Sequence, residues 1–99
     1  MIFSLHVLPA ALNDIQVSYD WYEAQSEDLG ERYLEYIDKG FDDIIQNPFY
    51  QIRYSNIRCY PLEVFPFMVH YHINEEKKLI FVTAVLHTKR SEKLWNRKV

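Results

Sequence analysis

At 99 residues the chain has the size of one domain, and with 48 % hydrophobic and 16 % aromatic residues it is a core-forming chain, which excludes intrinsic disorder. Its net charge of −3 argues against a general nucleic-acid binder, and no apolar run reaches the length of a membrane span. The single cysteine, Cys59, cannot close an intramolecular disulfide and points to a reducing cytoplasm; the N-terminus shows no secretion signal.

The charge is unevenly spread. Residues 10–50 hold ten acidic and two basic side chains, whereas residues 87–99 hold five basic and one acidic. A local basic site for phosphates is therefore compatible with an acidic whole.

Residues 2–8 read as a strand, with Phe3, Leu5 and Val7 on one face and Ser4 and His6 on the other. Pro9 suits the first position of a helix. Ala11, Leu12, Ile15, Tyr19 and Tyr22 then recur at helical spacing, which predicts a helix over about residues 10–25. Asp28 and Glu31 have the spacing of a capping box. Leu29, Tyr33, Leu34, Ile37, Phe41, Ile44 and Ile45 predict a second helix over 29–46, ended by Asn47-Pro48. So short a break between two helices implies an antiparallel hairpin.

The remainder reads as strands. One covers Ile52–Tyr60 with a break at Ser55-Asn56. A second covers Val64–Ile73, alternating Phe65, Phe67, Val69 and Tyr71 against Met68, His70 and His72. A charged turn, Asn74–Lys78, leads to a strand at Leu79–Leu86 that is apolar on both faces, as a central strand should be. The basic tail follows, with room for one helical turn around Trp95. The expected fold is a single α+β domain over residues 1–99, in the order β-α-α-β-β-β, with an antiparallel sheet packed on the helix hairpin.

Three stretches of this order resemble the RelE/ParE superfamily of toxins from type II toxin–antitoxin systems. Trp21–Leu34 resembles its hairpin junction. Asn47–Ile73 resembles its second and third strands, with Arg58 and the Phe65-Pro66-Phe67 step in place. Ala84–Lys98 resembles its last strand and basic tail, with His87, Arg90, Trp95 and Arg97 in place. The resemblance implies a toxin silenced by a cognate antitoxin protein. It also implies one of two targets: ribosome-bound messenger RNA, cut without metal or cofactor, or DNA gyrase, poisoned without nuclease activity. The expectation leans to the endonuclease. An inactive member that only binds its antitoxin is a third outcome.

Metal-free RNA cleavage needs a base for the 2′-hydroxyl, cations for the gathering phosphate charge and an acid for the leaving oxygen. A crude hairpin register places His87 opposite Phe65 and Arg58 opposite Phe67, gathering both at one end of the sheet with Lys89 and Arg90. The expected roles are Arg58 and Arg90 on the scissile phosphate and His87 as acid or base, because histidine ordinarily titrates near neutrality. Lys89, Arg97 and Trp95 would hold the flanking substrate. The blander readings are an Arg58 ion pair with Glu63, a His87 bonded to backbone, and a basic tail that receives the antitoxin. His70-x-His72 invites a metal, but the same register keeps His87 about 23 Å from His72, too far for a third ligand.

Overall fold

The computed structural model describes residues 2–95. In chain order the elements are β1 (Ser4–Val7), α1 (Pro9–Gln25), α2 (Leu29–Gln46), β2 (Ile52–Tyr54), β3 (Ile57–Pro61), β4 (Phe67–Asn74), β5 (Leu79–His87) and α3 (Thr88–Trp95). The strands form one sheet in the order β1-β5-β4-β3-β2. The fold is α+β with a two-helix hairpin on one face, as the apolar pattern requires. The sheet is mixed rather than wholly antiparallel, because β1 lies parallel to β5, from Ser4 opposite Leu79 to Val7 opposite Val82. Parallel neighbours need a long crossover, and here the helices lie within it.

The two helices are built differently. Pro9 starts α1, where its missing N–H is no loss. Along its length α1 buries only Ala11 and Ser18, and Leu12, expected to face the core, is exposed together with Val17 and Trp21. By contrast α2 is strongly amphipathic and buries Tyr33, Ile37 and Ile44. Its glycines allow close packing: a Cβ on Gly30 would stand 2.8 Å from the Tyr19 ring, and one on Gly40 would stand 3.0 Å from the Tyr60 ring. The expected Asp28 cap is absent. Asp28 adopts a left-handed conformation (φ 70°) and its side chain caps nothing. Glu23 of α1 does that work, accepting the backbone N–H of Asp28 at 3.1 Å and of Gly30 at 2.9 Å.

Two register features depart from a simple hairpin ladder. Between β4 and β5 the pairing runs from Ile73 opposite Ile80 to Val69 opposite Val85, with a shift between His70 and Tyr71 that leaves Thr83 as the extra residue. That bulge lets Ile80, Val82 and Val85 all reach the core, a spacing that strict alternation forbids. Between β3 and β4 the connection is not a tight turn. The Leu62 N–H donates to the Phe67 carbonyl at 2.9 Å, Val64 has φ 71°, and the intervening loop turns inward. It plants Phe65 in the core against the rings of Tyr22, Tyr33 and Tyr36.

The helices leave one face of the sheet open, and α3 covers part of it, running on from β5 without a loop. Among the described residues no helix is long and apolar enough to cross a membrane.

Candidate functional site

The inward loop at Phe65 moves β3 along β4. Arg58 pairs with Tyr71 rather than with Phe67, whereas His87 pairs with Phe67. Those two positions on β4 are four residues apart, about 13 Å along the strand, with roughly another 10 Å across two strand spacings. Arg58, opposite the middle of β4, and His87, at its end, therefore lie roughly 16 Å apart by backbone position, and the expected cluster of both does not form. Arg58 is also committed locally. Its guanidinium donates to the Tyr50 carbonyl at 2.7 Å and lies over the Phe49 ring at 5.4 Å, which pins the chain between α2 and β2. The neighbouring Tyr71 hydroxyl does the same, donating to the Pro48 carbonyl at 2.8 Å.

The other expected residues stay together. His87 ends β5 and is exposed, with its ring edge-on to Phe67 at 5.6 Å. Its Nδ1 accepts the Lys89 N–H at 3.1 Å, so the imidazole caps the start of α3 and a neutral ring carries its proton on Nε2. Lys89 and Arg90 follow, both exposed. Arg97 and the side chain of Trp95 lie outside the described residues.

His87 and Arg90 form one end of a cleft of about 400 Å³ between α1 and the last residues of β5. Its origin is the short first strand. β1 pairs with β5 only as far as Val82, where the Leu8 N–H donates to the Val82 carbonyl at 3.0 Å. Beyond that point the chain leaves as α1, and the edge of β5 runs on without a strand beside it. Asp14 of α1 takes over one edge donor, its carboxylate accepting the Val85 N–H at 3.0 Å. Ser18 turns its hydroxyl back on the Asp14 carbonyl at 2.9 Å. Val17 and Trp21, 60 % and 59 % exposed, flank the opening, and Tyr22 and Phe67 line it. The site is thus an apolar groove beside a partly open strand edge, with Arg90 as its cation.

Sequence reasoning missed this groove because it packed the face of α1 that carries Ala11, Leu12, Ile15, Tyr19 and Tyr22 against the core and gave Val17 no role. A signal was present: Asp14 and Ser18, four residues apart, interrupt the apolar face between Ala11 and Tyr22. The metal reading of His70 and His72 finds no support, since no group of three or more His, Cys, Asp or Glu side chains among the described residues is placed to hold a metal. His70 does not face solvent. It is fully buried, because α3 lies over that part of the sheet. His72 packs instead on the Phe81 ring at 5.3 Å.

The fold is similar to several solved structures. A chain of the chromosomal ParDE toxin–antitoxin system from P. aeruginosa superposes with a TM-score of 0.73 at 18 % identity, covering 86 % of this chain and 95 % of that one. A doubly substituted mutant of the E. coli toxin RelE in the free state gives 0.60 at 17 % identity, with 93 % and 90 % covered. A chain of the intact E. coli RelBE toxin–antitoxin complex gives 0.55 at 15 % identity, with 88 % and 96 % covered. A search of curated proteins found no match. Residues 5–92 match the family described as "ParE toxin of type II toxin-antitoxin system, parDE". The chain belongs to the ParE toxin family, within the RelE/ParE superfamily.

Proposed function

We propose that this toxin acts by blocking DNA gyrase rather than by cutting RNA, and that its antitoxin silences it by filling the cleft between α1 and β5. The observation that carries this reading is the separation of Arg58 from His87. The expected cleavage centre needs Arg58 and Arg90 on the phosphate and His87 as proton-transfer group at one locus, and of the two arginines only Arg90 stays with His87. Here Arg58 is bound to Tyr50 and Phe49, and one ring nitrogen of the histidine is engaged in capping α3. The remaining surface suits protein better than nucleic acid. The groove is apolar, it borders an open strand edge, and Val17 and Trp21 stand exposed beside it. An extended or helical antitoxin segment with apolar anchors and a carboxylate for Arg90 fits that chemistry.

The endonuclease reading retains one favourable feature, the nearness of His87, Lys89 and Arg90 at the start of α3. Induced expression without antitoxin separates the two. Gyrase-linked DNA breaks with intact transcripts, unchanged in His87→Ala and Arg58→Ala at equal soluble protein, are the expected result. Transcript cleavage within codons, abolished by His87→Ala, would overturn it. Growth with neither lesion would assign the chain to binding alone. For the antitoxin, Trp21→Asp should weaken the complex at least tenfold by titration calorimetry, and an unchanged affinity would remove it from the cleft.

A further inference from the structure

Helix α3 docks through a polar residue. Thr88, Ser91 and Leu94, three residues apart, are its covered positions, while Lys89, Arg90, Glu92 and Lys93 are exposed. Of the covered three only Ser91 is inaccessible to solvent, as is His70 of β4 beneath it. Ser91 Oγ lies 2.7 Å from His70 Nε2 and 3.3 Å from the Leu86 carbonyl oxygen. A carbonyl only accepts, so the Ser91 hydroxyl donates to Leu86 and its oxygen accepts the Nε2–H. The other ring nitrogen, Nδ1, accepts the Tyr54 hydroxyl at 2.8 Å. One chain of bonds thus ties α3 to β2, β4 and β5.

Eight residues are too few for a helix to hold its own direction, so its contacts with the sheet must set it. The start of α3 is fixed twice: the Thr88 N–H donates to the Pro66 carbonyl at 2.8 Å, and His87 Nδ1 accepts the Lys89 N–H. Bonds at one end leave the helix free to tilt and roll about that end. Ser91, one turn along, removes this freedom. A buried apolar side chain would tolerate some roll, whereas a hydrogen bond to a ring held from behind by Tyr54 is directional. Arg90 is the adjacent residue, about 100° round the helix from Ser91. The roll that Ser91 fixes is therefore the roll that aims Arg90, which lines the cleft. Arg90 has no hydrogen bond or ion pair of its own among the described residues, so no side chain there aims it directly.

We infer that Ser91 is the positioning residue for Arg90: through its bond to His70 it aims the cation into the cleft, where a carboxylate of the antitoxin meets it. The inference rests on the cleft being the antitoxin's seat. Ser91 does not itself line the cleft, so it acts only through the helix.

Titration calorimetry of the full-length toxin with its purified antitoxin tests this through a double-mutant cycle. Arg90→Ala should weaken the complex about tenfold, the scale of one hydrogen bond to a charged group. Ser91→Ala should weaken it about threefold to tenfold without touching the partner, and the double variant should be no weaker than Arg90→Ala alone. Ser91→Ala combined with Trp21→Asp should instead be additive, because α1 and not α3 holds Trp21. His70→Gln keeps an N–H for Ser91 and should bind within about twofold of the wild type, whereas His70→Leu should behave as Ser91→Ala does. Additive losses from Ser91→Ala and Arg90→Ala, or a loss on Arg90→Ala with none on Ser91→Ala, would overturn the positioning role and leave the cleft standing as the antitoxin's seat. An Arg90→Ala complex as tight as the wild type would also overturn it, and Trp21→Asp then decides whether the cleft falls with it. Should Ser91→Ala not fold, His70→Leu with Arg90→Ala completes the same cycle, and additivity there overturns the inference equally.

Discussion

Replacing Glu23 by alanine is the sharpest test of how the helix hairpin is held. Its carboxylate accepts two N–H groups at the bend, and they differ in surroundings. Asp28 is exposed, so its freed N–H can turn to water at little cost; Gly30 is buried, so its freed N–H stays unsatisfied. Leaving a buried donor unpaired costs about 1–3 kcal/mol, and losing a helix cap costs about 0.5–2 kcal/mol. The two describe overlapping losses, so Glu23→Ala should destabilise the protein by about 2 kcal/mol. In a domain of this size each kcal/mol moves Tm by about 4–8 °C, which gives a drop of roughly 10 °C. Glu23→Gln keeps one acceptor oxygen and most of the volume and should recover about half of that loss by the same reckoning. Asp28→Ala removes no side-chain cap bond and should cost under about 1 kcal/mol, mainly from the left-handed backbone. Calorimetry or urea unfolding of the three variants measures this directly. If Asp28→Ala costs more than Glu23→Ala, the cap belongs to Asp28 and the geometric reasoning fails.

Other outcomes follow from single contacts. Tyr33→Phe should leave stability unchanged or raise it by up to about 1 kcal/mol in urea unfolding, because the buried Tyr33 hydroxyl has no hydrogen-bond partner among the described residues. Gly40→Ala should cost about 1–3 kcal/mol despite alanine's better helix propensity, since the new Cβ would press on Tyr60 and Leu62; a gain in Tm would show that these side chains yield freely. The Tyr60 hydroxyl and Lys39 hold the Asp43 carboxyl below the usual carboxylate range. A depressed carboxylate stabilises the fold above its unfolded value and loses that contribution as pH falls through the folded one. Tyr60→Phe should therefore reduce the dependence of Tm on pH below about 4, and an unaltered acid limb would show that this hydrogen bond is not coupled to folding.

The hairpin helices were legible almost to the residue, because apolar positions recur along each and Pro9 and Asn47-Pro48 punctuate their ends. The strands were legible as segments, but their register was not. A bulge at Thr83 and a loop that carries Phe65 inward obey tertiary packing, and neither leaves a periodic trace in the sequence. Those two features decided the site, since the second displaces Arg58 from His87. His87, Lys89 and Arg90 stayed together because chain connectivity alone groups them. The eight residues of α3 were too few and too polar to announce a docking face, so the burial of His70 beneath Ser91 could not be anticipated.

The pairing of β1 with β5 has a consequence for how the protein is born. When the hairpin is complete at Gln46, the strands that cover its apolar stripe are not yet made, and β5 ends some forty residues later. At a synthesis rate of ~5–20 residues per second, that interval lasts roughly 2–8 s. Throughout it Tyr33, Ile37 and Ile44 have no sheet to rest on, and β1 waits for a partner about 75 positions away. The nascent toxin therefore passes through a stage at which the hairpin exists without the cleft, exposed to chaperones and to association with other chains, and becomes competent to bind only when the last strand closes the sheet.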